Sequence, residues 1–296
     1  MNNNIKKRTL FYFAIVVVYA NIYGFFKDLF NLNIPGLGFL IRNIKEDLIL
    51  KLNGNYIYFN YKVGGCYGRH FAGDWDEPET HIFFKRLFLN IQTEVCFVDV
   101  GANVGEMIHD VSSYKTVTQI FAFEPIPDCA LAINRTCKIN GVEYCHIIEK
   151  LVGASQGICK FYLSPDVSNS SVIPNKNKDS NAAIDMEITT LDHELNEVYL
   201  PTLLLIDVEG MELEVMKGGL NFIERIQPII IFEYNKISRN SFSIIDVQML
   251  LGVGYRIFRL RKDGRLDNKL ATTWNCVAIP INSNFDIALT GMIVEE

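Results

Sequence analysis

The sequence predicts an α/β fold built on a doubly wound, mostly parallel sheet. From residue 95 onward, short and continuously apolar runs alternate with helical stretches, which is typical of parallel strands buried on both faces. Hydrophobic residues make up 49% of the 296 residues and charged residues only 21%, so the chain can bury a large core. Repeat and low-complexity classes are excluded because no self-similar period is present.

The elements of this sheet follow from the apolar runs and the turns between them. Five parallel strands are predicted at 95–100, 119–123, 145–148, 203–206 and 228–232. Helices are predicted at 104–113, 128–139, 211–222 and 243–251. Residues 255–261 and 274–280 flank a Lys-Asp-Gly turn and are predicted to form a closing pair of strands.

Three regions are expected along the chain. Residues 1–30 form an apolar N-terminal helix, 31–94 an entry segment, and 95–296 the main domain. The entry segment has short apolar runs at 48–52 and 56–63 on either side of Asn53-Gly54-Asn55, and this pattern predicts a hairpin. Residues 76–90 have a helical pattern. The polar segment 164–181 is either a surface insertion or a flap over the acceptor.

The N-terminal region contains an apolar run after Lys6-Lys7-Arg8. Residues 10–26 would span about 26 Å as a helix, slightly less than the roughly 30 Å core of a bilayer. A membrane anchor, spanning or interfacial, and a helix packed on the domain both fit. A cleaved signal peptide fits worst, because no clean cleavage site follows.

Charge and cysteine content limit the partners. The net charge of −6 would repel a phosphate backbone, so nucleic acid is not an expected partner. The seven cysteines form no C-x-x-C pair and are interpreted as buried thiols in a reducing compartment. The five histidines lack metalloprotease spacing, and no metal site is assigned from them.

A glycine turn follows the first predicted parallel strand, at the sheet edge where doubly wound folds bind ligands. It contains Asp99, Gly101, Asn103 and Gly105. A dinucleotide fingerprint needs glycine where Asn103 and Glu106 stand. Acids beside the turn would repel a pyrophosphate. They favour S-adenosylmethionine, which carries a sulfonium and an ammonium group.

A second acid, Glu124, ends the next strand, 23 residues after Gly101. An acid at this position can accept hydrogen bonds from both ribose hydroxyls of a nucleoside cofactor. The alternative is an acid placed favourably at a helix entry. Pro125 and Pro127 hold Glu124 outside the helix and favour the ribose interpretation.

Further acids end two later strands on the same edge. Asp207 and Glu209 follow the strand at 203–206, and Glu233 follows the strand at 228–232. Helix N-terminal placement explains Glu212 and Glu214 but not these three. They are candidates for a general base, for substrate ligands or for a hard-cation site.

Together these residues resemble the FkbM family of S-adenosylmethionine-dependent methyltransferases. The resemblance rests on five ordered motifs: the run 99–105, Glu124 before Pro125, Thr190-Leu191-Asp192, the run 207–212, and the strand ending in Glu233. It covers residues 77–280. The resemblance implies the class I methyltransferase fold, with seven strands of which the last is antiparallel. It also implies O-methylation, often of sugar hydroxyls.

The leading hypothesis is therefore an O-methyltransferase acting on a small-molecule or glycan acceptor in the cytoplasm, where its cofactor is made. Asp207, Glu209 and Glu233 are the catalytic candidates. The expected cofactor ligands are Asp99, Gly101, Asn103, Gly105, Glu124 and Asp207. The same acids are compatible with a divalent metal, but no feature of the sequence supports one. The alternatives are an NAD-dependent oxidoreductase, which the failed glycine pattern disfavours, and a non-catalytic membrane-attached binding protein with this fold.

Overall fold

The fold is taken from a computed structural model of the chain. It describes residues 15–22, 41, 44–52, 55–67, 70–72, 75, 77–164, 170–173, 182–272, 274–281 and 283–294. Strands and helices are numbered below in chain order.

The entry segment forms a hairpin and a helix. Strand β1 (Leu48–Leu52) pairs antiparallel with β2 (Asn55–Phe59), as predicted. The second strand is shorter than expected because Tyr61–Tyr67 turn into a 3-10 helix. Helix α1 (Pro78–Phe88) begins at a proline, which is favourable at a first helical position.

The first half of the main sheet follows the predicted alternation. Its elements are β3 (Val95–Val100), α2 (Glu106–Val111), β4 (Val117–Phe123), α3 (Pro127–Asn140) and β5 (Cys145–Ile148). The three strands pair in parallel, β3 with β4 and β4 with β5. All six residues of β3 are buried, so β3 lies in the centre of the sheet.

A separate three-stranded sheet was not predicted. It consists of β6 (Leu151–Val152), β7 (Gly157–Leu163) and β8 (Ala182–Thr189), with β8 in the middle. A short helix, α4 (Leu191–Glu194), follows. Within the expected insertion 164–181, only 164 and 170–173 are among the described residues, so most of that segment lies outside them.

The second half of the sheet differs from the prediction at one helix. The elements are β9 (Thr202–Ile206), α5 (Glu212–Lys217), α6 (Leu220–Ile226), β10 (Ile229–Glu233), α7 (Ser238–Ser241) and α8 (Ile244–Leu251). The single helix predicted at 211–222 is wrong, because Gly218 and Gly219 separate α5 from α6. A Cβ at Gly218 would lie 1.9 Å from the carbonyl oxygen of Gly153, so this close approach requires a glycine.

The C-terminal elements complete the sheet. They are β11 (Tyr255–Leu260), β12 (Leu266–Asp267), β13 (Asn275–Pro280) and α9 (Asp286–Leu289). The strand order is β12-β11-β13-β10-β9-β3-β4-β5, with β13 antiparallel to both neighbours. The two-residue strand β12 makes eight strands where seven were expected. The order reverses at β3, so a ligand crevice is expected at its C-terminal end.

The sheet is covered by apolar clusters on both faces. Successive β3 residues alternate between them: Phe97 belongs to the cluster with Phe83 and Phe84 of α1, and Val98 to the cluster with Val215 of α5. The seven cysteines are free thiols and five of them are buried. The fold is thus a three-layer α/β arrangement, and its thiols contribute as small apolar side chains.

The described part of the N-terminal region is helical over 15–22. Val16 and Ala20 are fully buried in a third cluster, which also contains Phe59 and Ala132, whereas Val18 is 60% exposed. These contacts fit the packed-helix interpretation. The rest of the predicted segment 10–26 lies outside the described residues. Among the described helices, none is both long enough and apolar enough to span a bilayer.

Candidate functional site

The turn after β3 brings two strand ends into contact. Gly101 has a φ of +91°, and a Cβ there would lie 1.8 Å from the carbonyl oxygen of Asp207. The Gly101 N–H donates to the carbonyl oxygen of Phe123 at 3.0 Å. Only glycine fits this position, and its absent side chain leaves the backbone accessible at the edge of the sheet.

Glu124 is fixed by the backbone on both sides. Its Oε2 accepts from the Asn103 N–H and its Oε1 from the Ile126 N–H, each at 2.8 Å. Burial raises the pKa of Glu124 to about 8, although these two hydrogen bonds oppose the shift. Each carboxylate oxygen can accept a further hydrogen bond. The carboxylate is therefore oriented and still able to bind a pair of ligand hydroxyls.

Asp99 is a buried acid near the end of β3. It is only 2% exposed, and its Oδ2 has no hydrogen-bond partner among the described residues. Burial, followed by the charges of Glu77 and Glu106, raises its pKa to about 7. A buried polar atom without a partner costs free energy, so this oxygen points to a ligand that supplies a donor or a cation.

Three acids meet at the ends of β9 and β10. One carboxylate oxygen from each of Asp207, Glu212 and Glu233 lies within 4.8 Å of the others. Burial, then the charge of Glu233, raises the pKa of Asp207 well above its usual value. Burial, then the charges of Glu209 and Glu77, raises the pKa of Glu233 to about 8. Such a group can share a proton or hold a hard divalent cation. Glu212 also caps its own loop by accepting from the Gly210 N–H at 3.0 Å.

Glu209 sits in a strained loop between β9 and α5. Its φ of +54° lies in the left-handed region, which costs a side-chain-bearing residue about 1–2 kcal/mol. Its carbonyl oxygen accepts from Ser171 Oγ at 3.0 Å. This contact links the loop to the described part of the 164–181 segment. Strained residues of this kind cluster at functional sites.

Apart from Glu212, the acids described above line one cavity of about 420 Å³ together with Gly101 and Asn103. Every residue predicted for the site from the sequence is part of its wall, except Gly105. Gly105 precedes α2 with a φ of +83°, and a Cβ there would lie 3.1 Å from Ile133 Cγ1. The absent side chain of Gly105 allows α2 to pack closely against α3, and its assignment as a cofactor ligand stays a prediction.

The family model described as "Methyltransferase FkbM domain" matches residues 99–257. This chain belongs to the FkbM methyltransferase family. The assignment confirms the methyltransferase class and S-adenosylmethionine as the cofactor. The strand order, with β13 antiparallel between β10 and β11, confirms the class I methyltransferase fold.

Individual relatives are distant. The methyltransferase sdnD of Sordaria araneosa is 26% identical over 178 residues, which are 47% of this chain and 69% of that protein. Methyltransferase FkbM from Methylobacillus flagellatus KT has a crystal structure with 15% identity and a TM-score of 0.47, matching 74% of this chain and 53% of that chain. The FkbM chain described here thus spans about half the length of that protein. The structure of M. jannaschii TYW2 in complex with AdoMet gives 11% identity and a TM-score of 0.39, with 79% and 84% coverage.

The cavity of this FkbM methyltransferase fits S-adenosylmethionine in three respects. Its volume lies within the roughly 300–1,000 Å³ of small-molecule sites. Gly101 leaves the backbone open to close approach. The unpaired Oδ2 of Asp99 belongs to a cavity whose described wall contains six further acids and one lysine, Lys150. Such a wall favours a cationic ligand over a pyrophosphate.

Sequence reasoning missed part of the wall. Glu77, Lys150 and Asn275 line the cavity but come from elements outside the helix–strand alternation. Glu77 Oε2 accepts from Asn275 Nδ2 at 2.8 Å and from Thr80 Oγ1 at 3.0 Å. Glu77 followed by Thr80 resembles only a helix start, so no local signal identifies it. Glu106 also lines the cavity, although it is not among the residues predicted to bind the cofactor.

Proposed function

We propose that this enzyme transfers a methyl group to a hydroxyl of a sugar in a glycan, glycolipid or natural product. The observation that carries the proposal is the convergence of Asp207, Glu209 and Glu233 on the cavity that contains the glycine turn. A transfer to oxygen needs a group that accepts the hydroxyl proton. Three carboxylates at the sheet edge provide it.

The cofactor is assigned to the β3 and β4 side of the cavity. Glu124 binds the ribose hydroxyls, because its two oxygens are held in place by backbone N–H groups. The backbone of Gly101 and Asn103 lines the part of the cavity that is assigned to the cofactor. Asp99 supplies an acceptor for a positively charged or N–H-bearing part of the ligand.

The acceptor is assigned to the β9 and β10 side. When bound, S-adenosylmethionine supplies an electrophilic methyl group on its sulfonium. Glu233 is the best general base, because its Oε2 has no partner among the described residues and its raised pKa makes the carboxylate a stronger base. Asp207 and Glu209 orient the acceptor by accepting hydrogen bonds from neighbouring hydroxyls.

The chemistry of this wall selects among acceptors. Neutral, hydroxyl-rich molecules donate hydrogen bonds to carboxylates, whereas phosphate-rich molecules meet repulsion from the same acids. A sugar is therefore favoured over a polyanion.

We place the reaction in the cytosol, where the cofactor is made, and protease protection of the tagged chain in intact cells tests that location.

The test has two stages. Isothermal titration of the full chain with S-adenosylmethionine and with NAD separates a methyltransferase from an oxidoreductase. Release of S-adenosylhomocysteine is then measured with a panel of neutral glycans, anionic glycans and RNA. Cofactor binding followed by turnover on neutral glycans is the expected result. Binding without turnover on any acceptor favours the non-catalytic alternative, and turnover on RNA alone contradicts the sugar assignment.

A further inference from the structure

One acid of the cavity wall, Glu106, is held by two histidines. Its Oε2 lies 3.0 Å from His70 Nε2 and its Oε1 lies 2.8 Å from His81 Nε2. Both histidines belong to the entry segment, outside the 99–257 match to the family model. The Glu106 side chain is 13% exposed and lines the cavity. The entry segment therefore fixes a charged group in the wall of the site.

His81 is itself placed between two carboxylates. Its Nδ1 lies 2.7 Å from Asp110 Oδ2, opposite the contact to Glu106. A neutral imidazole has a single N–H, so both contacts are hydrogen bonds only in the imidazolium form. Burial opposes this form, but the two carboxylates outweigh it and raise the pKa of His81 to about 9. Trp75 stacks on the ring with 4.1 Å between centroids, which also stabilises a cation.

The histidines keep Glu106 ionised. Burial alone would raise its pKa, yet His70 and then His81 hold the pKa well below its usual value. The unpaired Oδ2 of Asp99 lies in the same cavity, and the charges of Glu77 and Glu106 both act on Asp99. A cationic group bound beside these carboxylates would stabilise them.

We propose that Glu106 binds the ammonium group of the methionine part of S-adenosylmethionine, and that His70, His81 and Asp110 position its carboxylate. The inference rests on the proposed cofactor site. Glu106 contacts the ligand, whereas the histidines and Asp110 act through it. Cofactor recognition thus depends on the entry segment as well as on the methyltransferase domain.

Two thioethers isolate the ammonium contact. S-adenosylhomocysteine and methylthioadenosine share the nucleoside and lack the sulfonium, but only the first has the amino-acid part. Their dissociation constants are measured on the full chain and on Glu106→Gln. We expect Glu106→Gln to weaken S-adenosylhomocysteine binding about tenfold or more and to leave methylthioadenosine binding unchanged.

Three outcomes would overturn the proposal. Equal weakening of both thioethers indicates a general structural role for Glu106. Tighter binding of S-adenosylhomocysteine places Glu106 beside the ligand carboxylate. Weakening of S-adenosylmethionine alone assigns Glu106 to the sulfonium. A wild-type protein that binds none of the three compounds contradicts the proposed function instead, so the two failures are distinguishable.

Matched variants complete the experiment. Glu214→Gln removes an acid that is paired with the exposed Lys217 outside the cavity, and it should change no dissociation constant. His81→Gln removes the imidazolium while keeping a donor, and it should reproduce the selective loss for S-adenosylhomocysteine. If Glu106→Gln does not melt cooperatively, the His81→Gln result decides, and its failure to discriminate between the thioethers counts against the proposal.

Discussion

The two sides of the cavity are built on different principles. The donor side, which is assigned to the methyl donor, is formed by Gly101, Asn103 and Glu124. There, two backbone N–H groups fix the Glu124 carboxylate from both directions. On the acceptor side, formed by Asp207, Glu209 and Glu233, burial and then the charges of neighbouring carboxylates raise the pKa of Asp207 and of Glu233. The donor side has its binding geometry before any ligand binds. On the acceptor side the neighbouring acids repel one another, and a proton, a hydroxyl donor or a cation relieves this repulsion.

This difference assigns separate tasks to the two sides. A nucleoside cofactor is the same in every turnover, so a rigid site loses little entropy on binding it. A proton must leave the acceptor during each transfer, and a carboxylate with a raised pKa accepts it more readily. Changes on the donor side should therefore affect binding or folding, and changes on the acceptor side should affect the rate.

The largest effect is expected at Gly101, where the backbone of the donor side contacts the backbone of the acceptor side. Gly101→Ala should lower the free energy of unfolding by at least about 3 kcal/mol, because the new Cβ would lie 1.8 Å from the Asp207 carbonyl oxygen. Gly141→Ala is the matched control: its φ is +69°, and a Cβ there meets no atom within 4 Å. It should cost only about 1–2 kcal/mol. Chemical denaturation measures both, and equal losses would refute the contact.

The acceptor side is tested by Glu233→Gln. We expect kcat to fall about a hundredfold or more, with the dissociation constant of S-adenosylmethionine nearly unchanged. In the wild type, kcat should rise as the pH approaches about 8, since only the ionised carboxylate of Glu233 accepts a proton. Steady-state kinetics with the acceptor found in the glycan panel, together with titration calorimetry, provide the measurements.

The control for this prediction is Glu214→Gln, which should keep the wild-type rate. An unchanged kcat in folded Glu233→Gln would mean that Asp207 or Glu209, and not Glu233, is the general base. Chelation with EDTA addresses the metal alternative: loss of activity that magnesium restores would make Asp207, Glu212 and Glu233 metal ligands.

The donor side is tested by Glu124→Ala, with a smaller expected effect. Loss of charge-assisted hydrogen bonds, each worth roughly 1.5–3 kcal/mol, should weaken S-adenosylmethionine binding at least about tenfold. Removal of the carboxylate also frees the N–H groups of Asn103 and Ile126, so Glu124→Gln is measured beside it. An unchanged dissociation constant in folded protein would show that Glu124 does not bind the ribose.

The donor side could be predicted closely from the sequence, and the entry segment's contribution could not. Val95–Val100 form a continuously apolar strand, and the chain reverses immediately after it, so its end marks the ligand edge. His81 approaches Glu106 only through the packing of α1 against α2. The two residues are 25 positions apart in the sequence, and no local signal connects them. Strand β7 has only one buried residue among its seven, so it is not a strand buried on both faces of the kind from which the main sheet was predicted.

The smallest expected effect is the pH dependence of stability from the acceptor side. The pKa of Glu233 is raised from 4.5 to about 8 by burial and then by Glu209 and Glu77. Between these values the folded chain keeps a proton that the unfolded chain releases. The resulting stabilisation is complete below about pH 4.5 and is lost as the pH rises through about 8.

Unliganded wild type should therefore be less stable at pH 9 than at pH 6, and Glu233→Gln should reduce this difference by about 1.4 kcal/mol for each pH unit between pH 6 and about pH 8. The loss of the His81 proton near pH 9 acts in the same direction, so the comparison between the two proteins, rather than the wild-type slope alone, isolates Glu233. Urea denaturation at both pH values measures the difference. Identical pH dependence in the two proteins would mean that Glu233 is already ionised at pH 6, and the acceptor side would then not store the repulsion that distinguishes it from the donor side.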